Sequence, residues 1–150
     1  SHFSESAAFL SGDWAAVSIY YTSGLTGFPV GSGGYLYLSQ NCSAVNLNLS
    51  AGASALIRQG CRINGVSIAS GAELTASYYT ELDGVQIAAG GRGLVGGSQC
   101  RMSGVSVEAG GYLSLAGGAS AVAVTSSAGA VIEAADGAYI EYSTTEESNE

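Results

Sequence analysis

Lysine is absent from this chain, proline and histidine occur once each, and charged residues make up only 11% of its 150 residues. An ordinary globular domain carries roughly 25% charge. The solvent faces of packed helices need those charges, so a helical protein is a poor fit. The only cations are Arg58, Arg62, Arg92 and Arg101, set against 12 acidic residues for a net charge of −8. Nucleic-acid binding requires a basic footprint that neutralises phosphates, and anionic membranes select the same kind of patch. Neither partner is expected. No apolar run approaches the roughly 18 residues of a membrane-spanning helix. No basic start followed by an apolar stretch marks a secretory leader, so any membrane attachment is expected through a region outside this chain. The three cysteines make no even disulfide set.

What the chain does have is 47% hydrophobic residues, enough for a core, and 23 glycines. Aligning one glycine per unit exposes a repeat: Gly33, Gly52, Gly71, Gly90, Gly110 and Gly129, spaced by 19, 19, 19, 20 and 19 residues. Repetition at this period points to a solenoid. Five positions before each anchor stand Phe28, Leu47, Val66, Val85, Val105 and Val124. Three before stand Val30, Leu49, Ile68, Ile87, Val107 and Ser126, with a polar residue or Pro29 between the two columns. This is the in-out-in alternation of a strand with one buried face.

A second pair follows the anchor, for example Leu36 and Leu38, or Leu113 and Leu115, and these columns admit small residues such as Gly93 and Ala76. Looser packing is expected there. A third inward segment precedes the anchor by eight and ten positions, as in Ile63 and Cys61. Turn dipeptides fall between the segments: Asn64-Gly65, Asp83-Gly84 and Ser103-Gly104 at one corner, the anchor glycines at a second, and Gly96-Gly97 and Gly117-Gly118 at a third.

Three apolar-alternating segments per unit predict an all-β, single-stranded parallel β-helix of about six three-sided coils of about 19 residues, with right-handed winding expected. Residues 1–22 read as a degenerate N-terminal coil or cap rich in aromatics, with Trp14 in place of a glycine and Val17 and Ile19 in phase. Residues 23–137 form the repeats. Residues 138–150 carry a last strand around Ile140 and then an acidic tail.

The unit from Cys100 to Gly118 contains Val105-Ser106-Val107, Gly110-Gly111, Leu113-Ser114-Leu115 and Gly117-Gly118 in that order. It resembles the AIDA-type repeat found in the passenger regions of autotransporter adhesins of Gram-negative bacteria. The resemblance covers residues 23–137; units 61–79 and 80–99 match nearly as well, 42–60 and 119–137 less well. It implies a secreted β-helical stalk at the bacterial cell surface, used in adhesion or self-association and often followed by a membrane β-barrel. Some relatives carry sugars on repeat Ser and Thr. Three cysteines, few threonines and many tyrosines depart from the pattern.

Several residue groups invite a chemical reading. Cys42, Cys61 and Cys100 share one column; Cys42 and Cys61 would stack on neighbouring coils, within Cα reach of a disulfide. A run of small buried residues accounts for them more simply. Three thiols in a straight line do not surround an ion, and His2 is terminal, so no metal is expected. Arg62, Glu81 and Arg101 alternate in sign up one outward column, as a surface ion ladder would. Glu73, Glu81 and Asp83 are the only carboxylates that could act on a glycan, and glycoside hydrolysis needs two facing one groove. Turn chemistry and the ion ladder explain them without catalysis. No placed histidine serves a nucleophile. Gly-x-Gly occurs without a helix or lysine to cradle phosphate. Asp stands only at 13, 83 and 136, so the per-unit Asp of calcium-binding repeats is missing.

The strand after the anchor is the exception on the outer surface. It presents Tyr35, Tyr37, Leu56, Leu94 and Tyr112 outward, where the strand before the anchor shows Asn48, Ser67, Gln86, Ser106 and Thr125. Exposed aromatic and apolar residues mark contact surfaces, although tyrosine is also an ordinary strand former. The expectation is a non-catalytic adhesin or stalk segment without a cofactor, and this face binds a surface protein, a glycan receptor or another copy of itself. The alternatives are a carbohydrate-binding or carbohydrate-cleaving β-helix and a self-assembling structural fibre.

Overall fold

The computed structural model describes residues 16–20, 25–31, 33–96 and 99–143. Their strands are β1 (Ala16–Tyr20), β2 (Leu25–Val30), β3 (Tyr35–Ser39), β4 (Ser43–Leu49), β5 (Ser54–Arg58), β6 (Arg62–Ile68), β7 (Glu73–Ser77), β8 (Glu81–Ile87), β9 (Arg92–Gly96), β10 (Arg101–Val107), β11 (Tyr112–Leu115), β12 (Ser120–Ser126), β13 (Val131–Ala134) and β14 (Tyr139–Tyr142). Odd-numbered strands stack into one seven-stranded parallel sheet and even-numbered strands into another. Each strand pairs with the equivalent strand one coil away. Leu47 aligns with Val66, Val85, Val105 and Val124 in succession. Leu36 aligns with Ala55, Leu74, Gly93, Leu113 and Ile132. The chain is a parallel β-solenoid whose register is the one set by the anchor glycines. The phase also holds beyond the glycine-bearing units: Val17 aligns with Leu36 and Ile140 with Ala121. The remainder of the expected N-terminal cap, including Trp14, and the acidic tail from 144 onward lie outside the described residues.

The three apolar segments of each unit occupy two sheets. The first and third segments join in one long strand, as in β6, where Ile63, Val66 and Ile68 all point inward. Two residues separate Ile63 from Val66, because Gly65 between them has φ 89°. A left-handed residue swings the chain and offsets the alternation by one position. The pairing ladder steps over that column, running from Asn64↔Asp83 to Val66↔Val85. Asn46, Gly84, Gly104 and Ala123 repeat the left-handed geometry in their coils.

The anchor glycines all have positive φ, from 78° to 98°. Each is the third residue of a four-residue turn, closed for instance by Ala72 N donating to Ala69 O at 3.0 Å and Gly111 N to Glu108 O at 2.8 Å. That position of a type II turn requires φ > 0. The anchors also bond to one another up the stack: Gly71 N reaches Gly90 O at 2.9 Å, and Gly90 N reaches Gly110 O at 2.9 Å. Directly after the anchor lies a buried column of small residues, Ala53, Ala72, Gly91 and Gly111 among them. It is the inner side of the corner, where a larger group would meet carbonyls. A Cβ on Gly91 would stand 2.8 Å from Ile68 O.

At the remaining corner the turn falls on Gly117-Gly118 as expected. Gly97 of the other expected pair lies outside the described residues, and the earlier coils turn without a glycine pair. Gly96 closes β9. The turn itself falls on Gln40-Asn41, Gln59-Gly60 and Tyr78-Tyr79, all left-handed, with Gln99, Gly118 and Gly137 serving later coils. Four side chains of the cysteine column support it from inside or pack beneath it. Thr80 Oγ1 donates to Ser77 O at 2.7 Å, Cys42 Sγ to Ser39 O at 3.1 Å and Cys100 Sγ to Gly96 O at 2.9 Å.

Between the sheets runs a single apolar core from Leu36 to Val124. Each fully buried Leu, Ile or Val in it contributes about 1.5–3 kcal/mol. At Gly93 the column after the anchor is not loosely packed, despite the missing side chain. Opposite Gly93 a Cβ would meet Ile87 Cδ1 at 3.1 Å and Leu113 Cδ1 at 3.5 Å, so neighbouring branches already fill the space.

Candidate functional site

Outward residues of the odd-numbered sheet form two parallel columns. The first holds Tyr35, Ser54, Glu73, Arg92, Tyr112 and Val131; the second holds Tyr37, Leu56, Thr75, Leu94, Ser114 and Glu133. All five residues singled out from the sequence, Tyr35, Tyr37, Leu56, Leu94 and Tyr112, therefore lie on one face. Tyr35 is exposed and the other four are half-buried by their neighbours on the sheet. From Glu73 to Tyr112 the first column is linked by side-chain contacts, and Tyr112 joins it to Glu133 of the second. Arg92 Nη1 lies 3.7 Å from Glu73 Oε2. Its guanidinium sits 5.2 Å from the centroid of the Tyr112 ring. The Tyr112 hydroxyl donates to Glu133 Oε1 at 2.8 Å. Cation–π and exposed ionic contacts of this kind contribute about 0–1 kcal/mol each. Their effect is to hold the Tyr112 ring in place on the surface.

Sequence reasoning missed the aromatic edge of this face. Tyr78 and Tyr79, at the corner after β7, are 43% and 57% exposed, among the most open large side chains in the described structure. Both are left-handed, with φ 54° and 66°, a conformation that costs a bulky residue on the order of 1–2 kcal/mol. Arg58 stacks on Tyr78 at 4.9 Å, and its Nε is buried without a hydrogen-bond partner. Beside Tyr78 a shallow depression of about 410 Å³ is lined by Thr75, Ser77, Leu94, Gly96 and Ser114. It opens because Gly96 presents no side chain on the outer surface. The adjacent tyrosines of a corner with no glycine were the available signal, since glycine fills the equivalent positions at 60 and 118.

The even-numbered sheet carries two of the three carboxylates considered for glycan chemistry. Glu81 and Asp83 project from β8 and line two adjoining troughs of about 470 and 330 Å³. Arg101, Ser103, Ser120 and Tyr139 complete the larger one. Glu81 is engaged by Arg62, Nε to Oε1 3.5 Å, and both side chains are solvent-exposed, so one rung of the expected Arg62–Glu81–Arg101 ladder forms, as a weak surface pair. Glu73 lies on the other sheet, bonded to Arg92, and does not join Glu81 and Asp83.

No disulfide joins Cys42, Cys61 or Cys100, and all three are buried. Burial and a hydrogen bond to the neighbouring Cys42 push the Cys61 thiol far above its ordinary range, the thiol–thiol contact being the larger cause. Burial raises Cys100 as well. Among the described residues no group of three or more His, Cys, Asp or Glu is placed to hold a metal ion, and no helix is long and apolar enough to cross a membrane.

No family model matches the chain, and no curated protein matches it. Among solved structures it is similar to the TibC-catalyzed hyper-glycosylated TibA55-350 fragment. The TM-score is 0.38 at 14% identity, covering 93% of this chain and 93% of that one.

Proposed function

We propose that this chain is a non-catalytic segment of an extracellular β-helical adhesin or stalk, of the AIDA type that its repeats resemble, working at a bacterial cell surface. Its contact surface is the outer face of the odd-numbered sheet, extended at the corner by Tyr78 and Tyr79. The observation that carries this reading is the placement of Tyr35, Tyr37, Leu56, Leu94 and Tyr112 on one face, where the core requires none of them. Aromatic side chains supply large contact area at small entropic cost. The partner is a surface protein, a glycan, or the same face of a second copy.

The test replaces Tyr35, Tyr37 and Tyr112 together with Ser. The variant keeps its parallel-β circular dichroism and loses self-association in sedimentation, or loses binding to whole cells. A variant that folds and keeps both interactions removes this face from consideration.

A second reading, a carbohydrate-binding or carbohydrate-cleaving groove, is favoured by one observation: Glu81 and Asp83 line a continuous trough with Arg101 and Tyr139. Incubation with acidic and neutral polysaccharides then releases reducing ends, and the E81Q/D83N variant abolishes that release. No release from any of them removes cleavage.

A further inference from the structure

The buried cysteines are not used by the surface reading, and two of them occupy equivalent places on adjacent coils. β4 starts at Ser43 and β6 at Arg62, and these two residues are register partners. The residues before them, Cys42 and Cys61, therefore stack one coil apart, tied by Arg62 N donating to Cys42 O at 2.9 Å. Neighbouring strands lie about 4.8 Å apart, inside the roughly 4.4–6.8 Å Cα separation a disulfide spans. Both side chains point into the same corner, 1% and 0% exposed.

We propose that Cys42 and Cys61 are a modification site, closed into a cross-coil disulfide by exchange with a small-molecule disulfide in an oxidising compartment. One cysteine, as thiolate, attacks a sulfur of the incoming disulfide and expels one thiolate. The second cysteine then attacks the mixed disulfide at the protein sulfur and expels the other. Two protein S–H bonds and one external S–S bond are lost; one protein S–S bond and two external S–H bonds are formed. The external disulfide takes the two electrons and two protons. Burial and the raised Cys61 thiol make the folded pair slow to react, so closure belongs to folding or to transient opening of the corner.

Cys100 is the internal control. It shares the column, but Thr80 stands between it and Cys61, each one coil from the next. Two strand spacings, about 9–10 Å, exceed disulfide reach.

The experiment uses the whole chain, incubated folded and also refolded from denaturant, in oxidised and reduced glutathione. Thiols are then counted under denaturing conditions and the linkage is mapped by peptide mass. The oxidised chain is expected to keep one of its three thiols, with Cys42 joined to Cys61, and its unfolding midpoint rises by roughly 5–10 °C. The C100S variant behaves the same with no thiol left, whereas C42S and C61S retain both of theirs. Refolding removes burial as an obstacle. Three free thiols after both treatments, or a bond that includes Cys100, overturn the proposal.

Discussion

Ala123 sits at φ 53° in a column whose equivalents at 65, 84 and 104 are glycines. A Cβ in the left-handed region costs on the order of 1–2 kcal/mol, of which glycine's greater freedom in the unfolded chain returns roughly half. Ala123→Gly should therefore stabilise the protein by about 0.5–1 kcal/mol, measured as a shift in denaturant midpoint at constant slope. No gain would mean that the column does not demand left-handed geometry. The thiols set a second residue-scale dependence. Cys61 is raised above the ordinary 9.0 in the folded protein. The folded state thus holds this proton more tightly than the unfolded state does. The stability it contributes is whole below about pH 9 and is lost as pH climbs from there toward the folded value, by about 1.4 kcal/mol per pH unit. Reduced C61S protein should lose less stability than reduced wild type between pH 8 and pH 10. Parallel losses would show that the Cys61 thiol does not set the alkaline sensitivity.

At the scale of the element, the corner after β7 holds two left-handed tyrosines, and in place of the second, Tyr79, glycine stands one coil before at Gly60 and two coils after at Gly118. Strain that a simple substitution could relieve is a mark of function. Tyr79→Gly should raise stability by about 0.5–1 kcal/mol while weakening cell binding or self-association. If binding is untouched, the corner is strained without serving contact. Such elements also show which parts of the fold could be read from the sequence. The anchor glycines and the alternation around them gave the register at every coil, because hydrogen-bonded parallel stacking repeats residue types in the same columns. The merging of two segments into one long strand was hidden: a left-handed residue inside a strand and one in a corner have the same glycine signature. The filling of space beside Gly93 by Ile87 and Leu113 was also hidden, since it depends on side chains from the facing sheet and the next coil. The outward face was legible as two columns of tyrosine and leucine. The contact of Arg92 with Tyr112 and the projection of Tyr78 depended on geometry that spacing does not contain.

At the scale of the molecule, every coil touches chiefly the coils before and after it, and stability is close to a sum of coil and interface terms. This makes a whole coil removable, provided that the phase is kept. Deleting residues 62–80, one unit of 19, joins Cys61 directly to Glu81. β4 then faces β8 and β5 faces β9, and Leu47 lies over Val85 as it formerly lay over Val66. The deletion removes Arg62 and Glu73 together, so the net charge of −8 is unchanged. It also leaves Ser43 beneath Glu81 and Ser54 beneath Arg92, replacing two exposed ion pairs worth about 0–1 kcal/mol each. The shortened chain should fold with the same circular dichroism per residue. Its unfolding free energy should fall by about 1–3 kcal/mol, the share of 19 residues at the usual stability per residue. Deleting 67–84 instead joins Val66 directly to Val85 and introduces a one-residue slip inside the strand. In a strand with one buried face, such a slip turns the apolar set toward solvent, so that chain should aggregate or unfold. Equal behaviour of the two deletions would show that the glycine-anchored phase does not set the register. A folded 62–80 deletion beside a failed 67–84 deletion would show that the phase carried along the strands from coil to coil holds the solenoid together.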